Sequence, residues 1–418
     1  MEFLSRLSAI LIVFFVAAGN VFGQWVNCDK HLYRDSLFES KLVDTVKFGE
    51  NTTPGGVFKE LYMHVYEPMG DTSVYRPLLV LAFGGAYIRG AKEDVRSICE
   101  DFASRGYVCA AIDYRLFDAF KIPDSTVILD IGLKAREDMI AAIKYLRWSA
   151  DNGNKWKINP DYIFVGGASS GAITALSVAY FNEKDSVDMK EWMKPVLEEN
   201  GGFEGKSTLD FAEEYSYKVS GVANMLGAVV NLDYIDDGEP IVVSIHGTND
   251  DVVPYAEGDI KLLNIPVFRL YGSSLVHERA VKEKIHSSFI SVEGGGHGGF
   301  LKDENQPWLD SMVNTTLNDF YDYVLCPEPN STENMENLRV DIYPNPAYDF
   351  ININFENLKE KTLDIDIISA DGVRVKSFED IKNGDVLPIY MLNSGMYIVR
   401  IKDSQRQNIA NRLLFIKN

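Results

Sequence analysis

The feature of this sequence that most constrains its fold is a repeated alternation of continuous apolar segments with segments of helical periodicity. Apolar runs occupy 78–83, 108–112 and 161–165, and helical spacing is found at 93–105, 137–151 and 172–180. A strand without a polar face must be covered on both sides, which is typical of parallel sheets connected by helices. The pattern therefore predicts an α/β domain with a mostly parallel central sheet and helices on both faces.

This domain is predicted to begin with a strand pair and to continue beyond a polar insertion. The segment 44–68 alternates around a Gly55-Gly56 turn, and the acidic segment 182–218 indicates a cap over the sheet. The alternation then resumes, with predicted strands at 219–230, 241–245, 267–271 and 288–292 and a last helix at 314–324.

The N-terminus indicates an exported protein. Arg6, an apolar run over 8–18 and the small-residue pattern at 21–23 predict a signal peptide over 1–23, and no later segment reads as transmembrane. The formal net charge of −20 argues against nucleic acid and anionic membrane surfaces as partners, because long-range repulsion opposes the encounter.

The C-terminal part has a different pattern. Pro, Asn, Ser and Glu dominate 326–336, which predicts a linker between the α/β domain, 24–325, and a last domain, 337–418. Beyond the linker the sequence alternates as strands do, with a hairpin signal at Asp371-Gly372. The last domain is predicted to be a small β-sandwich.

Four cysteines suit an oxidising compartment, and they allow two disulfides in three pairings. A bridge between Cys28 and Cys326 would join the ends of the α/β domain, whereas Cys99 and Cys109 fit a bridge or two buried thiols equally well. The pairing stays open at this point. No cysteine and histidine spacing indicates a metal site.

A candidate nucleophile lies in the segment 167–171, which reads G-x-S-x-G with Ser169 at its centre. Such a serine sits on a tight strand-to-helix turn, and its neighbours must be small because the backbone is strained and closely packed. The strand before it and the helix after it supply the required context. Alternatives are a Gly-rich structural turn or a phosphate-binding loop, although no lysine follows as a P-loop would need.

A candidate oxyanion hole follows the apolar run at 78–83. Two small residues there, Gly85 and Ala86, let backbone N–H groups face a ligand, and the N–H of Ser170 would complete the set.

The candidate acid and base follow later strands. Asp250 comes after the predicted strand at 241–245, and His297 stands among five glycines after the strand at 288–292. The chain order of serine, acid and histidine is that of α/β hydrolases. Asp251 is the alternative acid, and His246 is expected to brace the acid's loop.

These blocks together resemble the carboxylesterase and hormone-sensitive-lipase-like branch of α/β hydrolases. The resemblance covers about 44–324 and is carried by 83–86, 113–116, 167–171, 246–250 and 296–298. It implies a triad of Ser169, Asp250 and His297, oxyanion donors at Gly85, Ala86 and Ser170, and no cofactor or metal. This loop departs from the family's His-Gly-Gly-Gly. Phe83 replaces the histidine, which removes that histidine's supporting hydrogen bonds, and Ala86 replaces the last glycine, while the backbone donors survive both changes.

The C-terminal domain resembles the type A sorting domain of the type IX secretion system. The segments 343–347, 394–401 and 413–418 carry this resemblance. It implies the secretion machinery as a partner, export across the outer membrane, and a secreted or surface-attached product. A small carbohydrate-binding β-sandwich is the alternative.

The function expected from both resemblances is that of a secreted serine carboxylesterase acting on small or polymer-linked esters. Acyl or feruloyl esters of polysaccharides and polyester oligomers are compatible substrates. The alternatives are a serine peptidase on the same fold, although no gating domain is visible, and a non-catalytic surface binding protein.

Overall fold

The computed structural model describes residues 28, 31–119, 124–262, 265–302, 308–327, 339–356, 362–369, 374–402 and 408–417. The chain forms two compact units. One is Val26–Thr332, and the other includes Glu333–Asn418. The predicted signal peptide, 1–23, lies outside the described residues, as does most of the predicted linker, 326–336. No helix of the described part is both long and apolar enough to cross a membrane.

The larger unit contains eleven described strands and six α-helices. The strands are β1 Glu39–Thr52, β2 Phe58–Met69, β3 Arg76–Ala82, β4 Val108–Ile112, β5 Ile158–Ala168, β6 Gly221–Met225, β7 Ala228–Val229, β8 Ile241–Gly247, β9 Glu257–Leu262, β10 Ile265–Gly272 and β11 Ser287–Val292. The helices are α1 Arg96–Ser104, α2 Ser125–Asp151, α3 Ser170–Tyr180, α4 Lys194–Glu199, α5 Ser273–Lys282 and α6 Trp308–Phe320.

Eight of these strands form the central sheet, in the order β1-β2-β4-β3-β5-β6-β8-β11. The first three, β1, β2 and β4, pair antiparallel, and all pairs from β4 to β11 are parallel. Every residue of β3 and β4 is buried, as their unbroken apolar runs predict. The fold is thus the predicted mostly parallel α/β sheet, with a hairpin of β1 and β2 at one edge.

Several elements differ from the prediction. The strand predicted at 219–230 is two strands, β6 in the central sheet and β7 in a separate sheet, and the last helix begins at Trp308 and not at 314. The strand predicted at 267–271 does not join the central sheet but pairs antiparallel with β9 and β7 in a separate three-stranded sheet. Only two residues of sequence separate β9 from β10, so there is no room for a crossover helix that would return β10 to the parallel sheet. The helix predicted from 137 begins twelve residues earlier, at Ser125, where Asp124 accepts a hydrogen bond from the Val127 N–H.

The first half of α2 lacks a helical spacing of apolar residues in the sequence, because Val127, Leu129, Ile131 and Leu133 are buried at every second position. Three charged residues in the middle of α2, Arg136, Glu137 and Asp138, are all buried, so the buried face of this helix is partly polar. Arg115 pairs with both carboxylates, and Arg136 donates to the carbonyls of Ser177, Phe181 and Phe203. The bond to the Phe203 carbonyl also attaches the segment 182–218 to α2.

The predicted cap segment, 182–218, contains a 3-10 turn at Glu183–Val187, the helix α4 and a second 3-10 turn at Ala212–Glu214. Besides the bond from Arg136 to Phe203, Lys144 pairs with Glu204 at 2.6 Å. A polar insertion is therefore held to the α/β unit through buried or half-buried cations of α2.

The smaller unit is an all-β domain with two described sheets. Its strands are β12 Arg339–Tyr343, β13 Phe350–Glu356, β14 Leu363–Ser369, β15 Arg374–Ile381, β16 Val386–Pro388, β17 Gly395–Lys402 and β18 Asn408–Ile416. One sheet has the order β12-β13-β16 and the other β15-β14-β17-β18. Ile353 from the first sheet and Ile365 and Val399 from the second share one buried cluster, which is the core of a sandwich.

Cys28 and Cys326 form a disulfide across 298 residues of sequence, so it joins the ends of the larger unit. Cys99 on α1 and Cys109 on β4 are free and buried, with their sulfurs 2.7 Å apart. The structure thereby resolves the pairing that the sequence leaves open.

We expect the double change Cys28→Ser with Cys326→Ser to lower the free energy of unfolding by about 2–4 kcal/mol, because the bridge restricts a very long loop in the unfolded chain. Urea unfolding of the larger unit measures this. A reductant should lower the unfolding midpoint of the wild type to that of the variant and leave the midpoint of the variant unchanged. Equal unfolding midpoints for wild type and variant under oxidising conditions would contradict the expectation.

Candidate active site

The candidate nucleophile lies at the carboxyl end of β5, where the chain turns into α3. Ser169 has the left-handed backbone angles φ 53 and ψ −119, and its N–H donates to the Met225 carbonyl at 2.8 Å. A Cβ added to Gly167 would lie 2.5 Å from the Ala82 carbonyl oxygen, and one added to Gly171 2.2 Å from it. Only glycine fits at both positions, so the G-x-S-x-G spacing follows from the close approach of β3 to this turn.

The histidine and the acid come from two neighbouring strands of the sheet. Asp250 follows β8 and His297 follows β11, and these strands pair in parallel up to Gly247 and Val292. Their loops therefore leave the same edge of the sheet as Ser169 does. Ser169 Oγ lies 2.9 Å from His297 Nε2, and His297 Nδ1 lies 2.7 Å from Asp250 Oδ2.

Asp250 is held in one orientation by four donors. The N–H groups of Val252 and Val253 each donate to Oδ1 at 2.9 Å, whereas Oδ2 faces His297 and, at 3.2 Å, His246 Nε2. Burial acts to raise the pKa of Asp250, but the hydrogen bonds from His246, His297 and Val252 outweigh it and lower that pKa well below its usual range. The carboxylate is therefore ionised at neutral pH and can stabilise a positively charged His297.

His246 braces this loop, as the sequence predicts. It is fully buried at the end of β8, where its Nδ1 contacts Ser273 Oγ at 2.8 Å and its Nε2 contacts the Val253 carbonyl at 3.2 Å. Asp251, the alternative acid, is exposed, and it is Asp250 that the structure brings to His297.

The candidate oxyanion loop follows β3 and lies against the nucleophile. A Cβ added to Gly84 would be 3.4 Å from Ser169 Cβ. Gly85 and Ala86 both have positive φ, 137 and 56, and among the described residues no protein acceptor receives their N–H groups. Ser170 is the first residue of α3, where a backbone N–H has no partner within the helix. The three predicted donors thus belong to two segments that meet at Ser169.

Tyr114 belongs to the block 113–116 of the sequence, which gives it no role, but the structure places it at the candidate site. Its ring stacks on Phe83 with centroids 4.3 Å apart, and its hydroxyl donates to the Phe83 carbonyl at 2.9 Å. The same hydroxyl lies 3.3 Å from Ser170 Oγ. One phenol therefore connects the two segments that carry the candidate donors, and it supplies a polar support where Phe83 replaces histidine. The sequence signal was available, because Tyr114 follows the buried strand β4.

We expect Tyr114→Phe to lower kcat for a simple ester about 10-fold with KM little changed, since one hydrogen bond that positions the donors is lost while the aromatic stack remains. Steady-state kinetics on p-nitrophenyl acetate measures the two constants separately. Tyr145→Phe is the matched control, because that ring packs against Trp148 on α2. An unchanged kcat for Tyr114→Phe would show that its hydroxyl does not position the donors.

Two family models match the chain. Residues 63–229 match the model described as BD-FAE, and residues 341–416 match the model described as a secretion system C-terminal sorting domain. The chain therefore carries an esterase-like α/β-hydrolase domain and a C-terminal sorting domain, which confirms both resemblances drawn from the sequence. It is an enzyme of the carboxylesterase class that is exported, as a secreted or surface-attached protein.

Solved structures of an esterase from the Planctomycetes species Thermogutta terrifontis are similar to the chain. Native Est2 has 16% identity and a TM-score of 0.48, with 69% of this chain and 95% of that chain covered. Butyrate-bound Est2 has 17% identity and a TM-score of 0.49 over 69% and 96%. Esterase 2 phosphorylated by paraoxon has 17% identity and a TM-score of 0.47, with 68% of this chain and 96% of that chain covered. No curated protein sequence matches the chain.

Proposed function

We propose that this exported esterase-type α/β hydrolase cleaves carboxylic esters through an acyl-enzyme formed on Ser169. The observation that carries the proposal is the continuous line of contacts from Ser169 Oγ to His297 Nε2, 2.9 Å, and from His297 Nδ1 to Asp250 Oδ2, 2.7 Å. A serine, a base within hydrogen-bond reach and an acid that orients the base form the arrangement that nucleophilic acyl transfer needs.

The proposed reaction follows from these contacts. His297 Nε2 takes the proton as Ser169 Oγ bonds to the ester carbonyl carbon, and the N–H groups of Gly85, Ala86 and Ser170 stabilise the oxyanion. The intermediate collapses, the bond to the alcohol breaks, and the alcohol leaves with the proton from His297. Water then attacks the acyl-enzyme with His297 again as base, which releases the carboxylic acid and restores Ser169.

The domain arrangement proposed with this function has the catalytic domain at 24–325, the cap at 182–218, a linker at 326–336 and the sorting domain at 337–418. The sorting domain is the proposed contact with the type IX secretion machinery. Compatible substrates are small esters, acyl or feruloyl esters of polysaccharides, and polyester oligomers. A seryl acyl-enzyme requires neither a cofactor nor a metal.

The test compares esters with amides on the mature protein. We expect p-nitrophenyl acetate and butyrate to be hydrolysed, and acyl p-nitroanilides and peptide p-nitroanilides to be turned over at least about 10³-fold more slowly, as the better leaving group of the ester favours collapse. Preferred hydrolysis of peptide anilides would support the serine peptidase alternative. No turnover of either class would support the non-catalytic binding protein.

A further inference from the structure

A chain of buried hydrogen bonds continues from the candidate triad into the core of the larger unit. His246 Nε2 lies 3.2 Å from Asp250 Oδ2, the same oxygen that meets His297 Nδ1 at 2.7 Å. On its other side, His246 Nδ1 lies 2.8 Å from Ser273 Oγ, which accepts a hydrogen bond from Asn224 Nδ2 at 3.0 Å. The candidate acid is therefore connected, through a second histidine, to polar groups on β8, α5 and β6.

The far end of this chain lies at the turn that supports the nucleophile. Asn224 Oδ1 accepts a hydrogen bond from the Gly227 N–H at 2.9 Å, and Ser273 Oγ donates to the Gly227 carbonyl at 3.0 Å. Gly227 lies two residues after Met225, whose carbonyl receives the Ser169 N–H at 2.8 Å. The same buried polar groups therefore fix both the loop of the acid and the segment behind the nucleophile.

The partners of His246 Nε2 determine the direction of its hydrogen bond. Besides Asp250 Oδ2, this nitrogen meets the Val253 carbonyl at 3.2 Å. Burial acts to raise the pKa of Asp250, but the hydrogen bonds it accepts outweigh burial and lower that pKa, so the carboxylate is ionised. A carbonyl and an ionised carboxylate can only accept, so Nε2 carries a proton and donates it.

The bond between His246 and Asp250 is shielded from water. Both side chains are fully buried, and a hydrogen bond to a charged group is stronger in such surroundings than in solvent. Among the described residues, the titratable groups that hydrogen-bond to Asp250 are His246 from β8 and His297 from the loop after β11. The Tyr255 ring lies edge-on to His246, with ring centroids 5.8 Å apart.

Two imidazoles compete for the negative charge on Oδ2 of Asp250. That charge stabilises His297 when it holds the proton taken from Ser169. A second donor on the same oxygen withdraws part of the charge, so His246 weakens the hold of Asp250 on a protonated His297. With His246 in place, His297 is therefore neutral, and able to accept a proton, down to a lower pH than it would be without it.

We propose that His246 is a positioning residue of the triad, which shares Oδ2 of Asp250 with His297 and thereby sets the lowest pH at which His297 acts as the base. This inference rests on the proposed ester hydrolysis at Ser169 and adds to it the control of its pH range. Support of the acid loop alone would have no such effect on His297.

Two substitutions at His246 separate this role from support of the loop. Glutamine places its amide close to the position of Nε2, and its two N–H bonds can reach both Asp250 Oδ2 and the Val253 carbonyl. Asparagine is shorter, so its amide lies near the position of Nδ1 and reaches Ser273 but not Asp250. His246→Gln is therefore the matched control for His246→Asn, because both amides are neutral and polar and only one donates to the acid.

The experiment measures kcat/KM for p-nitrophenyl acetate as a function of pH and compares the position of the acid limb, since this limb reports the protonation of the base in the free enzyme. For His246→Asn we expect the acid limb about one pH unit above that of the wild type, because one hydrogen bond to a charged group is lost and Asp250 then stabilises protonated His297 more strongly. For His246→Gln we expect the acid limb within about 0.3 unit of the wild type.

The outcomes separate the two roles of His246. An acid limb of His246→Asn at the wild-type pH, or at a lower pH, would overturn the proposal and leave His246 with support of the loop alone. An equal rise in both variants would also overturn it, because the lost donor to Asp250 would not be the cause.

A second variant keeps the test decisive if His246→Asn does not fold, as judged by near-UV circular dichroism. Ser273→Ala removes the anchor of His246 Nδ1, so the acid limb should move in the same direction by a smaller amount. An unchanged acid limb in folded Ser273→Ala would then overturn the proposal. Absence of ester hydrolysis by the wild type would instead overturn the proposed function, and this inference with it.

Discussion

The change Ser169→Ala is expected to lower kcat for p-nitrophenyl butyrate by about 10⁶-fold, to a residual rate supported only by binding and the oxyanion donors. The reason is that Ser169 Oγ lies within hydrogen-bond distance, 2.9 Å, of the proposed base at His297 Nε2 and is lost in this variant. The folded state should be unaffected, because Ala differs by one hydroxyl whose partner is the half-exposed His297. Steady-state rates at saturating ester, with far-UV and near-UV circular dichroism as the folding check, measure the effect.

Ser97→Ala is the control for this first change. Ser97 is exposed on α1, so its removal should leave kcat unchanged. Activity in Ser169→Ala within about 10-fold of the wild type would mean that hydrolysis does not use this serine, and the acyl-enzyme proposal would fail.

The change Asp250→Asn is expected to lower kcat about 10⁴-fold with little effect on the fold. The contacts of Asp250 explain why kcat should fall. Oδ1 accepts two backbone N–H groups, from Val252 and Val253, so an amide placed there keeps its oxygen at that position. Its NH₂ group then faces His297 Nδ1, which must accept a hydrogen bond. The proton of the neutral imidazole moves to Nε2, where it blocks proton transfer from Ser169.

Asp251→Asn is the matched control for the acid, since it makes the same chemical change at the next residue, on an exposed side chain. We expect kcat for this control to stay within about 2-fold of the wild type. If Asp251→Asn lost activity and Asp250→Asn kept it, the assignment of the acid would be reversed. The pair therefore tests the choice between two adjacent carboxylates that sequence alone cannot make firmly.

The parts of this molecule that sequence predicts best are those with one dominant physical cause. Buried parallel strands must be apolar throughout, so β3 and β4 are visible as unbroken runs. The serine, acid and histidine each follow a strand end, and the parallel sheet brings those ends to one edge. The strained turn at Ser169 leaves room only for small neighbours, which makes its motif visible.

The parts that escaped prediction depend on contacts between segments distant in the chain. Tyr114 follows the buried strand β4 and so is visible in the sequence, but only the fold shows that its ring stacks on Phe83 and its hydroxyl reaches Ser170. The first half of α2 is hidden because its buried apolar residues, from Val127 to Leu133, alternate in the sequence as those of a strand do. The strand β10 is apolar like a buried parallel strand, and only its antiparallel pairing with β9 shows that it belongs to a separate sheet.

The central claim is that Ser169 is the nucleophile of an ester hydrolase, and trapping with an organophosphonate ester tests it most directly. The exported protein is incubated with a p-nitrophenyl alkylphosphonate, and its mass and peptide map are measured. We expect one adduct per chain, located on the peptide that contains Ser169, with complete loss of ester hydrolysis. An unmodified Ser169, or full ester hydrolysis by protein labelled there, would contradict it.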